Sequence, residues 1–164
     1  MHKPLESQSI LVTGASGGIG AAIVEQLAAE GARVLIHYGR DQSAAEALLA
    51  RIEGQGWLIQ ADLSSDDGPF QLWQQAVALA GRVDALVNNA GIRTEISVEV
   101  EPCEWKKAWQ REFQINFFAA AALCKKPGQH FRQPGGGRIL NIASRAGHAG
   151  SAAAAFPYGP PKAG

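Results

Sequence analysis

Apolar and polar positions along the chain alternate in short blocks that predict strands and helices in turn. Residues 9–13 carry the apolar run Ile10-Leu11-Val12, which leads into glycine-rich sequence and then into helical spacing over residues 21–30. Gly31 ends this helix, and residues 33–38 (RVLIHY) form a second apolar run bounded by Gly39. This order of strand, loop, helix and strand predicts a βαβ unit.

The same alternation continues beyond residue 42. Helical spacing is predicted at 43–52, 70–80 and from near Pro102 to Cys124, and strands at 57–61, 85–87 and 138–143, with a turn at 133–137. Trp105 and Trp109 lie one helical turn apart and are expected to pack in the core. Residues 151–155 begin a helix or form a loop. Right-handed crossovers between these strands predict an α/β fold, a doubly wound parallel sheet in three α/β/α layers.

Composition narrows the class of protein. With 164 residues and 46% hydrophobic content, residues 1–164 are expected to form one domain. Fifteen basic residues balance fifteen acidic ones, which argues against nucleic acid or an anionic membrane as partner. Cys103 and Cys124 form no CxxC pair and have no histidine at zinc-ligand spacing, so no metal is expected. No apolar segment follows Lys3, which predicts a soluble, cytoplasmic protein.

The glycine-rich segment at residues 13–20 (TGASGGIG) lies between the first strand and the first helix. Glycines let a backbone turn tightly and approach a pyrophosphate, whose charge is met by free N–H groups at the start of the helix. The alternative is a plain turn between strand and helix, but the βαβ context favours dinucleotide binding. The candidate cofactor-binding residues here are Gly14, Ser16, Gly18, Ile19 and Gly20.

The second strand ends in Tyr38-Gly39-Arg40, where an NAD-binding unit usually places an acidic residue. Arg40 can pair with the additional phosphate of NADP, which an acidic residue would repel. NADP is therefore the expected cofactor. NAD remains possible because a shifted loop would present Asp41 instead, and Arg40 has the alternative of being a solvated surface charge.

Two further strand ends carry polar side chains. Asp62, followed by Leu63, can accept a hydrogen bond from the adenine amino group or cap its own loop. Residues 88–91 (NNAG) end the fourth strand at the carboxyl edge of the sheet, where open α/β folds bind ligands. We expect Asn89, Ala90 and Gly91 to contact the cofactor and Asn88 to support the loop.

Candidate catalytic residues lie near the end of the chain. Ser144 follows the fifth strand, and Tyr158 and Lys162 are spaced i, i+4, which places both on one face of a helix. A neighbouring ammonium favours the phenolate form of a tyrosine, so Tyr158 is a candidate acid and base. Ser144 would orient the substrate oxygen while the nicotinamide exchanges the hydride.

Together these motifs and Asn116 closely resemble the short-chain dehydrogenase/reductase family, over nearly the whole chain. The resemblance implies a Rossmann fold and transfer of a hydride between NADP(H) and a small carbonyl or alcohol, as in 3-oxoacyl reductases. It implies that Lys162 also holds the nicotinamide ribose, that Asn116 serves a water-linked proton relay, and that the long helix supports a homodimer or homotetramer. The catalytic group implied is Asn116, Ser144, Tyr158 and Lys162.

Several features depart from the family pattern. The glycines also fit the Gly14, Gly17, Gly20 spacing of the epimerase and dehydratase branch, although NNAG favours the reductases, and Gly17 replaces an arginine that many NADP-using members carry. The interval from Ser144 to Tyr158 is one residue longer than usual, which predicts a bulge in the alanine-rich loop. Pro160 and Pro161 interrupt the expected helix unless they occupy its first turn.

The chain ends two residues after Lys162, where family members continue through further strands. We therefore expect a truncated chain, an uncovered apolar edge at the fifth strand, and little or no turnover by residues 1–164 alone. The alternative function is a nucleotide-binding sensor of the same fold without catalysis. An epimerase or dehydratase is a third, weaker alternative.

Overall fold

The structure is a computed structural model that describes residues 3–132, 135–150 and 152–163. Five parallel strands form one sheet in the order β3-β2-β1-β4-β5. The strands are β1 (Ser9–Val12), β2 (Arg33–Tyr38), β3 (Gly56–Gln60), β4 (Ala85–Asn88) and β5 (Arg138–Asn141). The α-helices are α1 (Gly18–Ala29), α2 (Gln42–Arg51), α3 (Gly68–Ala80), α4 (Pro102–Phe113), α5 (Ala119–His130) and α6 (Ala146–Ala149).

The core lies on both faces of this sheet. β1 is buried along its whole length, with Ile10 and Val12 packed in one apolar cluster and Leu11 in the other. The first cluster includes residues of α1 and α2, and the second includes residues of α3 and α5. Because both faces are covered at the centre of the sheet, β1 and β4 are buried along their whole length rather than on alternate residues. The doubly wound, three-layer Rossmann-type fold is confirmed.

The order of the strands determines where a ligand site can form. From β1 the chain moves to β2 and β3 on one side, and then crosses to β4 and β5 on the other. The loops after β1 and β4 therefore diverge at the carboxyl edge of the sheet and leave a crevice between them.

The long helix predicted from Pro102 to Cys124 is interrupted. α4 passes into a π-helical turn, Gln114–Phe118, before α5 continues to His130. Such wide turns inside α-helices often mark functional positions, and this one holds the buried Asn116. The expectation that Trp105 and Trp109 pack in the core is wrong. They lie outside both apolar clusters, with ring centroids 6.0 Å apart, in a half-buried aromatic row on the helix surface.

The segment that carries Tyr158 and Lys162 is not α-helical, contrary to prediction. It forms two 3₁₀ turns, Ala153–Tyr158 and Pro160–Lys162. Pro157, Pro160 and Pro161 supply no N–H donors, so the i to i−4 ladder of an α-helix cannot form there. With three residues per 3₁₀ turn, side chains four positions apart no longer lie on one face.

The carboxyl-terminal strand forms one edge of the sheet. β5 pairs only with β4 among the described residues, and Leu140 is 48% exposed, which confirms the uncovered apolar edge. The strand ends at Asn141 rather than at residue 143. Gln133, Pro134 and Ser151, which belong to the predicted turn and loop, lie outside the described residues. Every helix in the described ranges is too short or too polar to traverse a lipid bilayer.

Candidate active site

The loop after β1 depends on three of its glycines. Gly14 and Gly18 have φ angles of +60° and +55°, a left-handed backbone that favours glycine. A Cβ on Gly14 would lie 2.7 Å from the Ala90 Cα, and one on Gly20 would lie 2.4 Å from the Gly14 carbonyl oxygen. Gly17 has an extended backbone and open space around it. The structural requirement therefore falls on Gly14, Gly18 and Gly20, which is the reductase spacing.

Side chains of the NNAG segment hold this loop in place. Asn89 Nδ2 donates to the carbonyl oxygens of Thr13, at 2.9 Å, and Gly14, at 3.1 Å. In return, Thr13 Oγ1 accepts from the backbone N–H groups of Asn89 and Ala90, at 3.0 and 2.9 Å. These reciprocal hydrogen bonds join the loops after β1 and β4 at the wall of the crevice. Thr13 was not among the predicted site residues.

His37 is a second support that the sequence analysis missed. This histidine of β2 is only 3% exposed, its Nδ1 accepts from the Gly14 N–H at 2.9 Å, and its Nε2 lies 3.1 Å from the Ala61 carbonyl oxygen. An accepting Nδ1 leaves the proton on Nε2, so the neutral ring satisfies both contacts. Burial lowers the pKa of His37, against a smaller opposing effect of the bond to Ala61. A polar residue inside an apolar strand was the available signal.

These loops enclose a crevice of about 660 Å³ at the carboxyl edge of the sheet. The volume falls within the roughly 300–1,000 Å³ that is typical of ligand pockets. Its walls also include Arg111 and Ile115, which the sequence analysis did not select, whereas Gly18, Tyr158 and Lys162 do not line it. The predicted residues that do line it are Gly14, Ser16, Ile19, Gly20, Arg40, Asp62, Leu63, Asn89, Ala90 and Gly91.

Charged side chains stand at one end of the crevice. Asp41 caps α2, because its Oδ1 accepts from the Ala44 N–H at 2.9 Å, and Arg40 lies beside it in the wall. Asp62 Oδ1 accepts from the N–H and hydroxyl of Ser64, at 2.9 and 2.6 Å. These bonds lower the pKa of Asp62, with smaller contributions from the Arg40 and Arg111 guanidinium groups. Asp62 thus caps its own loop, and its contact with the adenine amino group stays a prediction.

Asn116 and Lys162 meet at the other end, around Gly91. Asn116 Oδ1 accepts from the Ile92 N–H at 2.8 Å, and Nδ2 donates to the Ile92 carbonyl oxygen at 2.9 Å. Lys162 Nζ donates to the Ile142 carbonyl oxygen at 3.2 Å. A Cβ on Gly91 would lie 3.0 Å from Asn116 Oδ1 and 3.5 Å from Lys162 Nζ. Both side chains line a smaller cavity of about 210 Å³, which shares Ala90 as a wall with the main crevice.

Ser144 and Tyr158 are less closely joined to this group. Ser144 Oγ accepts from the Ala146 N–H at 3.2 Å, and neither residue lines either cavity. Tyr158 is half-buried. Over residues 3–132, 135–150 and 152–163, no hydrogen bond connects its hydroxyl to Ser144 or Lys162. Of the four predicted catalytic residues, the structure therefore joins Asn116 and Lys162 around Gly91, and the grouping of Ser144 and Tyr158 with them stays a prediction.

Asn88 plays a structural part, but it supports the sheet edge rather than the loop that it was predicted to support. Its Nδ2 donates to Asn141 Oδ1 at 2.8 Å and to Cys124 Sγ at 3.4 Å, which ties β4 to β5 and α5. Both cysteines are free thiols, and burial raises the pKa of Cys124. Within the described ranges no cluster of histidine, cysteine, aspartate or glutamate is suited to hold a metal ion.

The whole arrangement has counterparts among known proteins. A profile of the short chain dehydrogenase family matches residues 8–164. This chain is a member of that family. It is 34% identical over 153 residues to the 3-oxoacyl-[acyl-carrier-protein] reductase of Synechocystis sp., with 90% of this chain and 60% of the relative covered.

Two solved structures of the short chain dehydrogenase family share this fold. The Pseudomonas aeruginosa RhlG/NADP active-site complex superposes with a TM-score of 0.85 at 34% identity, and covers 99% of this chain and 64% of that one. The angucycline C-6 ketoreductase LanV with bound NADP gives 0.84 at 30% identity, with 97% and 63% covered. This dehydrogenase chain thus spans less than two thirds of the length of each of these relatives.

Proposed function

We propose that this chain carries the NADP(H)-binding and catalytic part of an oxidoreductase that transfers a hydride between NADP(H) and a small carbonyl or alcohol. The observation that carries the proposal is the 660 Å³ crevice, bounded by a glycine loop in which a Cβ on Gly14 or Gly20 would collide with neighbouring backbone. Two structural relatives contain NADP in their complexes. The Synechocystis relative is named for reduction of 3-oxoacyl groups, which supports a 3-oxoacyl-type substrate.

The chain's residues fit a dinucleotide. Gly17 caps α1 with no side-chain hydrogen bond, so the first N–H groups of the helix are free of a side-chain cap and suited to a pyrophosphate. Arg40 would hold the additional phosphate of NADP, since Asp41 is engaged at the start of α2. At the other end, Lys162 would hold the nicotinamide ribose. The bound nicotinamide supplies or accepts the hydride.

The catalytic roles proposed for the chain follow from proton chemistry. Tyr158 would exchange a proton with the substrate oxygen, Ser144 would orient that oxygen, and the Lys162 ammonium would favour the phenolate. Asn116, which lies beside Lys162 around Gly91, would serve the proton relay. The Tyr158 hydroxyl has no competing hydrogen bond in the described part of the chain, which leaves it available to substrate.

The first experiment titrates the chain with NADPH and NADH by fluorescence. Arg40→Ala is expected to weaken NADPH binding about tenfold and NADH binding little, because a charge-assisted bond to phosphate is lost. Arg138→Ala is the matched control, an exposed arginine at the opposite edge of the sheet, and should change neither affinity. Equal losses for both nucleotides with Arg40→Ala would remove the argument for NADP.

The second step measures turnover over a panel of ketones and 3-oxoacyl thioesters. Tyr158→Phe is expected to abolish turnover while NADPH binding is retained, because only the proton-exchanging hydroxyl is removed. The alternative, a sensor that binds nucleotide without catalysis, is favoured by the proline-rich 3₁₀ turns that separate Tyr158 from Lys162. Turnover by the wild-type chain would exclude the sensor, whereas tight NADPH binding without turnover on any substrate would fit both the sensor and the low turnover expected of residues 1–164 alone.

We also propose that residues 1–164 act as one nucleotide-binding unit that associates with copies of itself. The support is the five-stranded sheet and two exposed aromatic side chains, Phe118 of the π-helical turn and Phe156 beside Trp105, which are 52% and 43% exposed. Exposed aromatic surface of this kind is typical of protein interfaces.

A further inference from the structure

A buried carboxylate lies one helical turn before Asn116. Glu112 of α4 is fully buried, at 0% exposed, although charged side chains are almost never buried unless they are paired. Its Oε1 accepts from the Thr94 N–H, and its Oε2 accepts from Asn116 Nδ2. Both partners belong to the catalytic end of the site, because Thr94 follows the Gly91-Ile92 segment. An apolar residue here would avoid the cost of burying a charge, so the carboxylate calls for an explanation.

The carboxylate of Glu112 is matched to one end of the Asn116 amide. An amide has a donor end and an acceptor end, and it makes good hydrogen bonds in only one of its two orientations. A carboxylate only accepts, so Glu112, like the Ile92 carbonyl oxygen, pairs with the Nδ2 end of Asn116 and not with the Oδ1 end. Oδ1 is thereby directed to the Ile92 N–H, and lies 3.0 Å from the point where a Gly91 Cβ would stand, with Lys162 Nζ 3.5 Å from the same point.

We propose that Glu112 is a positioning residue for Asn116. Its acceptor-only carboxylate fixes the Asn116 amide with Oδ1 on the Lys162 side, and its second oxygen ties down the Thr94 backbone beside it. Glu112 lines neither the crevice nor the smaller cavity and would act through Asn116. The catalytic consequence rests on the proposed function, in which Asn116 serves the relay to Lys162.

Glu112→Gln tests the proposal because it keeps the shape and replaces one acceptor by a donor. The glutamine NH₂ must face either Asn116 Nδ2 or the Thr94 N–H, so one bond is lost or the Asn116 amide turns over and loses the Ile92 N–H. We expect hydrogen-exchange protection of the Ile92 or Thr94 amide to fall about tenfold. Glu104→Gln, an exposed glutamate on the same helix, is the matched control and should leave both amides unchanged.

Kinetics separate positioning from mere stability. Glu112→Gln is expected to lower kcat about tenfold with the Kd of NADPH unchanged within about twofold. In an Asn116→Ala background the same substitution should lower kcat no further, because Glu112 acts through Asn116. An equal loss of kcat in both backgrounds overturns the proposal. Loss of stability alone, with kcat and the protection of both amides intact, overturns it as well.

One measurement uses the wild-type chain alone, so its result does not depend on whether a variant folds. In ¹⁵N-labelled protein, the Asn116 side-chain NH₂ is expected to be protected from solvent exchange, because it donates to Glu112 and to the Ile92 carbonyl. Rapid exchange of this NH₂ would refute the assigned orientation. If the wild-type chain binds NADPH but shows no turnover, the catalytic proposal fails while the exchange measurements still decide the role of Glu112.

Discussion

Alanine substitution at four glycines of the loop after β1 separates backbone strain from steric collision. Gly17 has neither problem, because its backbone is extended and no atom lies within 4 Å of a built Cβ. Gly18 has a positive φ of +55° in open space. Gly20 has a regular backbone, but its Cβ would lie 2.4 Å from the Gly14 carbonyl oxygen. Gly14 combines a φ of +60° with a collision at 2.7 Å with the Ala90 Cα.

The expected losses in the free energy of unfolding follow from these contacts. Gly17→Ala should be close to neutral, because a weaker helix cap is offset by about 0.4–1 kcal/mol from a stiffer unfolded chain. Gly18→Ala should cost about 1–2 kcal/mol for the left-handed backbone. Gly20→Ala should cost about 1–3 kcal/mol, because the Cβ collides with backbone and helix propensity offsets only part of this overpacking. Gly14→Ala adds strain to collision and should cost about 2–5 kcal/mol.

Urea denaturation measures these stabilities, and NADPH titration measures their effect on the loop. A strained loop lowers its free energy by leaving its native shape, and NADPH binding must then restore that shape. About 1–2 kcal/mol of strain should therefore weaken NADPH binding about 5- to 30-fold in Gly18→Ala. Gly17→Ala is the internal control and should retain both stability and affinity. The reasoning is refuted if Gly17→Ala is as damaging as Gly14→Ala, because the two positions would then share a requirement that the geometry does not show.

Two further predictions concern the walls of the crevice. Because burial lowers the pKa of His37, the unfolded chain binds the proton more readily, so stability should be constant above about pH 6.5 and fall as the pH drops towards the lowered value. Urea denaturation from pH 8 to 5 should show this fall in the wild type and a smaller one in His37→Asn, and an equal fall in both would count against His37 as the cause. Gly17→Arg should raise the NADPH-to-NADH affinity ratio about tenfold, because the open position faces the crevice that Arg40 also lines. Equal effects on both nucleotides, measured by titration, would contradict a phosphate contact.

The strands were predictable from sequence because each is a short apolar run bounded by glycine or a polar residue. Residues 33–38 form β2 with the bounds that the pattern predicted. The same logic placed Gly14, Arg40 and Asn89 around one crevice, since the carboxyl ends of parallel strands meet at one edge. Local pattern and topology were sufficient there.

The catalytic end was less predictable because its geometry depends on backbone donors and distant contacts. The i, i+4 spacing of Tyr158 and Lys162 implied a shared helical face, but the prolines between and before them remove the N–H groups that an α-helix needs. In the sequence, Glu112 is one of several charged residues on an amphipathic helix. Its carboxylate accepts from the Thr94 N–H, eighteen residues away in the chain, and no local sequence pattern predicts that contact.

The bonds to His37 have a consequence for how the crevice meets a ligand. The N–H groups of Gly14 and Ala15 both donate inward, to the His37 ring and, at 2.8 Å, to the His37 carbonyl oxygen, so contacts within the protein shape the first turn of the loop. Ordering a residue costs about 1–2 kcal/mol, and here that entropy is lost during folding rather than during association. The first turn of the loop is therefore pre-organised for an incoming anion. The backbone N–H groups that can donate to this anion begin only after Ala15.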